Sequence, residues 1–154
     1  MKGTPEILAL LNERLSEELT AISMYMVHSE MCANWGYDKL HEAFEKQAVD
    51  EMKHAELLIG RILFLEGTPT VTRLQHMTIG ATVEEMVMAD EDAETGAIKA
   101  YNDTIAAALK HGDNGTRELV AKILLDEERH VDWAETQREL IKQMGLQNYL
   151  ATRG

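Results

Sequence analysis

The sequence predicts an all-α protein: a four-helix bundle with a long crossover between helices two and three and a short C-terminal fifth helix. Helix-forming Leu, Ala, Glu, Met and Lys are plentiful, whereas the 154 residues include only 2 prolines and 10 glycines. Apolar residues recur with a helical period in four long stretches, and no stretch shows strand-like alternation. We expect a single domain over residues 1–154, a length that can bury a substantial core.

Caps and breakers place the first two helices. Thr4 is a suitable N-cap, Pro5 fits the first turn, and the apolar pattern of helix one runs out near Asn34-Trp35-Gly36. A second helical stretch begins around Asp38 and continues to Gly67. The short connection between these helices predicts a helical hairpin.

The third helix follows a segment that is rich in helix breakers. Gly67-Thr68-Pro69-Thr70 ends helix two, and the chain up to Gly80 is predicted to be the long crossing connection. Thr82 and Glu85 then form a capping box for helix three, which runs to about His111. A connection of this length allows helices two and three to run parallel.

The fourth helix completes a second hairpin. Glycines at 112 and 115 separate it from helix three, so we expect it to begin near Thr116 and to end at Met144-Gly145. Residues Leu146 to Thr152 are predicted to form one short final helix.

Charge and composition argue against several partners. The net charge of −12 makes a nucleic-acid backbone an unsuitable partner.

No segment approaches the roughly 20 apolar residues that cross a bilayer, and the apolar run near the start is too short for a signal-peptide core. Cys32, the single cysteine, cannot form an internal disulfide and is expected to fill the core. We therefore expect a cytoplasmic protein with no membrane or nucleic-acid partner.

The chain carries an internal repeat with an offset of 76 residues. ELTAISMY at 18–25 matches ETGAIKAY at 94–101, and VDEMKHAE at 49–56 matches LDEERHVD at 125–132. Each predicted hairpin therefore contains one copy of a segment that begins with Glu and one copy of Asp-Glu-x-x-His. Because both pairs of segments match at the same offset, they indicate an internal duplication that includes residues able to bind metals.

Six residues of the repeat are candidate metal ligands, because they share the apolar stripes of four helices. Each Glu-x-x-His pair lies on one helix face, since residues three apart are neighbours there. Four carboxylates in one core would cost several kcal/mol each to desolvate, and no Lys or Arg shares these stripes. Two divalent cations would balance their charge. The six candidates are Glu18, Glu51, His54, Glu94, Glu127 and His130.

This residue set predicts a two-metal centre. Di-metal carboxylate bundles have this arrangement: two helices contribute one Glu each, and the other two helices contribute one Glu-x-x-His pair each. Oxygen and imidazole ligands suit iron or manganese, with zinc as a competitor. With iron, the expected reaction is oxidation of Fe(II) by dioxygen or peroxide. Tyr25 and Tyr101, which end the repeated phrase, are expected to hydrogen-bond the ligands.

The sequence resembles the bacterioferritins along its whole length, in MKGTPEILALLNERLSEELTAI, NWG, DEMKHAE, RILFLEG, DEERHVDW and MGLQNYL. The resemblance implies a ferritin-like fold with two irons per subunit, in which Glu51 and Glu127 bridge the metals. Glu18 with His54, and Glu94 with His130, would then be terminal ligands of one iron each. It also implies a 24-subunit shell, built from dimers, that stores ferric mineral.

The resemblance gives Met52 a role as well. This residue follows Glu51 directly and is therefore rotated about 100° from the metal face. In bacterioferritins, a methionine at this position from each of two subunits binds haem, here b-type or related, one per subunit pair. A thioether ligand raises the haem potential, which suits iron release, and the implied partner is a bacterioferritin-associated ferredoxin.

Two other functions remain open on the sequence. The chain could form a haem-containing electron-transfer or structural shell whose metal site is not catalytic. It could also be a peroxide-detoxifying di-metal enzyme with little storage. The complete set of six ligands favours an iron-storage ferroxidase over the first of these. The second differs from it in the amount of iron that the protein keeps soluble.

Overall fold

The computed structural model describes all 154 residues, and these form five α-helices and no strand. Helix α1 covers Pro5–Asn34, α2 Asp38–Phe64, α3 Val83–Lys110, α4 Asn114–Met144 and α5 Leu146–Ala151. The predicted fold class, a four-helix bundle with a short fifth helix, is confirmed. No helix is both long and apolar enough to cross a membrane.

The crossover between α2 and α3 runs along the length of α1. Hydrogen bonds join Asn12 to Thr68, Ser16 to Arg73, Thr20 to Gln75 and His28 to Gly80, in that order along both segments. The chain therefore returns to the end of the bundle where α2 began before it starts α3. As a result α3 runs parallel to α2, as the length of the connection predicted.

The caps locate the helix starts. Thr4 Oγ1 accepts a hydrogen bond from the Ile7 backbone at 3.4 Å, and Thr82 Oγ1 accepts one from Glu85 at 3.2 Å. Glu85 in turn accepts one from the backbone of Ala81 at 2.8 Å. These contacts satisfy backbone N–H groups that have no partner within the helix.

Two helix ends differ from the prediction. α4 begins at Asn114, two residues before Thr116, because the Asp113 carboxylate caps it and accepts from the Thr116 backbone at 3.0 Å. α2 ends at Phe64, three residues before Gly67. Glu66 there has a positive φ of 62°, so the chain has already left the helix.

The apolar core is divided into two clusters. One contains Leu15, Leu58 and Tyr101, and the other contains Phe44 and the fully buried Cys32, which fills the core as predicted. Buried polar residues occupy the layer between the clusters. The middle of the bundle is therefore the only layer of the core in which carboxylates from four helices meet.

Candidate metal centre

The six predicted ligand residues come together in this central layer. All are buried, and the most exposed is His130 at 6%. They form two groups of four whose ligand atoms lie within 4.8 Å of one another. Glu51 and Glu127 belong to both groups. Glu18 and His54 complete the first group, and Glu94 and His130 complete the second. The chain thus builds two adjoining cation-sized positions that share two carboxylates.

Several ligand atoms at the centre have no hydrogen-bond partner. An unpaired buried polar atom costs free energy, so a cluster of them needs an explanation. Their shared position inside one cavity fits the donor set of a metal, and the mixture of carboxylate oxygen and imidazole nitrogen fits iron or manganese. The atoms without a hydrogen bond are Glu18 Oε2, Glu51 Oε1, His54 Nδ1, Glu94 Oε2 and Glu127 Oε1. His54 Nδ1 and Glu127 Oε1 lie 2.9 Å apart, so these two atoms attract each other as an ion pair without the geometry of a hydrogen bond.

Two aspartates orient the histidines from behind. His54 Nε2 lies 2.8 Å from Asp126 Oδ2, and His130 Nε2 lies 3.1 Å from Asp50 Oδ2. A carboxylate only accepts, so each Nε2 carries the proton and each Nδ1 faces the centre. The sequence reasoning missed this role, although the repeated Asp of Asp-Glu-x-x-His was its signal.

The two tyrosines of the repeat hydrogen-bond the ligands, as predicted. The Tyr25 hydroxyl donates to Glu94 Oε1, and the Tyr101 hydroxyl donates to Glu18 Oε1. Burial and the nearby carboxylates raise the pKa of both tyrosines well above the ordinary value, so both remain donors. Each tyrosine occupies one oxygen of its glutamate and leaves the other facing the centre.

Burial and mutual repulsion affect most the two carboxyls that belong to both groups. Desolvation, followed by the charges of Glu18 and Glu94, raises the pKa of Glu51 well above its ordinary value. The same causes raise the pKa of Glu127. In the absence of a cation these carboxyls therefore hold protons at a pH where exposed glutamates have lost them.

The pKa values of the two histidines are also raised, but by the nearby carboxylates and against the effect of burial. Burial would lower the pKa of His54, but the carboxylate of Glu127 and its neighbours outweigh it and raise the pKa to about 12. Burial is likewise outweighed at His130, where Glu94 is the main cause of a pKa of about 9. Without a metal both imidazoles are cations, so binding of a metal must release protons.

A cleft of about 620 Å³ leads from the surface to the centre. It lies between α1, α3 and the crossover, and its lining includes the carboxylates of Glu18 and Glu94. Glu17, Glu85 and Asp92 line it further out. A cleft lined by one sign of charge raises the local concentration of the opposite ion, here cations.

Met52 lies apart from the centre, as its position after Glu51 predicted. Its side chain is 44% exposed on α2, whereas Glu51 is buried. Val49 on the same helix and Met26 on α1 are also exposed apolar residues. All three side chains are thus apolar and accessible in the single chain.

The fold and this residue set define a ferritin-like protein, and a family model described as a ferritin-like domain matches residues 8–144. The chain is 42% identical over 151 residues to the bacterioferritin of Mycolicibacterium paratuberculosis, covering 98% of this chain and 95% of the relative. It is 42% identical over 154 residues to the bacterial ferritin of Synechocystis, covering 99% of each. The Streptomyces coelicolor bacterioferritin is 40% identical over 152 residues, with 99% and 91% covered. The chain belongs to the bacterioferritin family.

Proposed function

We propose that this protein is an iron-storage ferroxidase, which oxidises Fe(II) in the middle of its bundle and stores the product as ferric mineral. Family membership supports iron storage. The observation that carries the oxidation step is the pair of overlapping ligand groups that share Glu51 and Glu127. Two cations held side by side can each supply one electron to a single small oxidant.

The roles of the six residues follow from this overlap. Glu51 and Glu127 bridge the two positions, since each lies within ligand range of both groups. Glu18 and His54 are terminal ligands of one iron, and their repeat counterparts Glu94 and His130 are terminal ligands of the other. The aspartates behind the histidines keep both Nδ1 atoms aimed at the substrate.

Each reaction transfers two electrons from iron to the oxidant. Two Fe(II) substrates lose one electron each, and dioxygen takes both electrons with two protons and leaves as hydrogen peroxide. If peroxide is the oxidant, the same two electrons and two protons convert it into two molecules of water. The protons that Glu51, Glu127 and the histidines hold in the metal-free protein leave when iron binds, so the carboxylates present full negative charge to the cations.

Storage and release extend the proposal beyond one chain. We propose a cytoplasmic shell of 24 subunits, built from dimers, with the mineral inside. In each dimer, Met52 from both subunits binds one haem, and the exposed apolar side chains of Met26 and Val49 support this surface as a subunit contact. A bacterioferritin-associated ferredoxin would deliver electrons through the haem to release iron.

Stopped-flow absorbance after Fe(II) is added to aerobic protein tests the ferroxidase step. We expect a fast phase that saturates at two irons per subunit and is abolished in Glu18→Ala. Glu118→Ala, an exposed glutamate on α4, is the matched control and should oxidise iron at the wild-type rate. Wild-type rates in Glu18→Ala would refute the assignment, and metal analysis on a sizing column would show whether the iron stays inside a shell.

A further inference from the structure

The repeat places buried side chains of opposite charge beside the two metal positions. Arg14 lies four residues before Glu18 on α1, and its counterpart 76 residues later is Asp90, four residues before Glu94 on α3. Both side chains are buried, at 7% and 1% exposure. Four residues correspond to about one helical turn, so each charge lies on the same face as its metal ligand. The prediction that no Lys or Arg shares the stripes of the candidate ligands is therefore wrong for Arg14.

The positive charge of Arg14 is neutralised by the carboxylate of Glu17. Its guanidinium donates two hydrogen bonds to the carboxylate of Glu17, both of 2.7 Å. It donates two more to the Ala100 carbonyl at 2.9 Å and to Thr104 Oγ1 at 3.0 Å. The Glu18 side of the centre therefore has a closed ion pair beside it, with no net charge.

The charge of Asp90 has no such compensation. The counterpart of Glu17 is Ala93, and His28 occupies the place of Thr104. Asp90 Oδ1 lies 3.2 Å from His28 Nδ1, and Asp90 Oδ2 is buried without a partner. The Gly80 backbone N–H donates to His28 Nε2 at 3.0 Å, so Nδ1 carries the ring proton that is donated to Asp90.

The hydrogen bond from His28 Nδ1 favours the ionised form of Asp90. Burial acts against it and raises the pKa of the carboxyl to about 6, so the carboxylate is mostly ionised at pH 7.5. The two halves of the centre thus differ by one buried negative charge on the Glu94 side.

We propose that Asp90, held by His28, makes the Glu94–His130 position the first and tighter of the two cation positions. This inference rests on the proposed function, because it assumes that the six residues bind two cations. A buried negative charge about one helical turn away attracts a divalent cation, whereas the neutral Arg14–Glu17 pair does not. The resulting difference in affinity should be roughly 10- to 100-fold.

Cobalt(II) binding to the metal-free, assembled protein tests the order of filling at pH 7.5. Calorimetric titration of the wild type should show two unequal affinities per subunit. A crystal given one cobalt per subunit should show anomalous density mainly beside His130. In Asp90→Asn, which keeps an oxygen to accept from His28, the first affinity should fall roughly 10- to 100-fold and the density should divide between the two positions.

Asp103→Asn is the matched control, because it removes the same charge from an exposed position on α3. Its titration and density should match the wild type, and a thermal unfolding curve should show that Asp90→Asn is folded. Equal filling of both positions in the wild type, or an unchanged order in Asp90→Asn, would overturn this inference and leave the proposed function intact. A wild type that binds no cobalt at the six residues would overturn both.

Discussion

At the scale of single residues, each proposed terminal ligand uses one polar atom for a supporting hydrogen bond and leaves another available for a metal. Glu94 gives one oxygen to the Tyr25 hydroxyl and keeps the other free, and His54 gives Nε2 to Asp126 and keeps Nδ1 free. The supporting contacts restrict the side-chain rotations that would otherwise have to be frozen when a cation binds. Such preorganisation lowers the cost of binding.

Removal of Asp126 should therefore weaken metal binding without removing a ligand. In Asp126→Ala the His54 ring loses its partner at 2.8 Å and can rotate or change tautomer. We expect the affinity for cobalt(II) to fall about 10- to 100-fold, measured by calorimetry. Asp132→Ala, a change on the same helix outside this contact, should bind as the wild type does. Unchanged affinity in Asp126→Ala would show that packing alone holds the ring.

Met52→Leu should lose haem and keep ferroxidase activity. Leucine has a similar volume but no sulfur to bind iron, and Met52 lies on an exposed helix face outside the ligand groups. Haem absorbance of the purified protein and the stopped-flow oxidation rate are the two measurements. Met26→Leu is the control and should keep its haem. Stoichiometric haem in Met52→Leu would place the axial ligand elsewhere.

At the scale of helices, the ends depend on particular side chains. The Asp113 carboxylate caps α4 and also lies 2.8 Å from the Arg61 guanidinium of α2, so it joins the two hairpins at one end of the bundle. The ion pair and the hydrogen bonds from Thr116 lower the pKa of Asp113, although burial acts against them. The folded chain thus favours the ionised form of Asp113 over its protonated form.

Asp113→Ala should destabilise the metal-free protein by about 1–2 kcal/mol, the usual cost of a lost N-cap. Urea denaturation followed by circular dichroism measures the change. Asp103→Ala removes an exposed aspartate from an i,i+4 pair with Lys99 and should cost much less. Equal losses in the two variants would mean that the cap contributes nothing beyond an ordinary surface pair.

Sequence patterns predicted the helices and the grouping of the six candidate residues well, because both depend on spacing along one helix. The Glu-x-x-His pairs needed only the helical period and a second copy to be recognised. The contacts between hairpins could not be predicted from spacing along one helix. Asp126 meets His54, and Asp90 meets His28, only because of the register in which the helices pack. The start of α4 differs from the prediction because the glycines at 112 and 115 indicate a loop, whereas the Asp113 carboxylate between them caps the helix.

At the scale of the whole molecule, the metal-free protein contains a destabilising concentration of charge in its core. Its stability should decrease as the pH rises. The His130 proton, with a pKa of about 9 against an ordinary 6.5, stabilises the fold below pH 6.5, and this contribution is lost as the pH rises towards 9. The raised pKa values of Glu51 and Glu127 act in the same direction above 4.5.

We therefore expect the melting temperature of the metal-free protein to fall between pH 6.5 and 9, measured by differential scanning calorimetry. The cobalt-loaded protein should melt higher and lose less over the same range, because bound cations replace these protons and bind only the folded state. Glu118→Ala is a suitable control for the general effect of removing one acid. Parallel curves for the loaded and metal-free forms would contradict this account.

The contacts that cross between hairpins bear on how such a chain arose. Tyr25, Tyr101, Asp50 and Asp126 each support a ligand on the opposite hairpin and none on their own. A half-length chain with one copy of the repeat would lack all of these supports and would complete the site only by pairing with a second copy of itself. In this sense the bundle corresponds to a homodimer whose two halves are joined by the crossover, and joining them permits different residues at matching positions, as at Arg14 and Asp90.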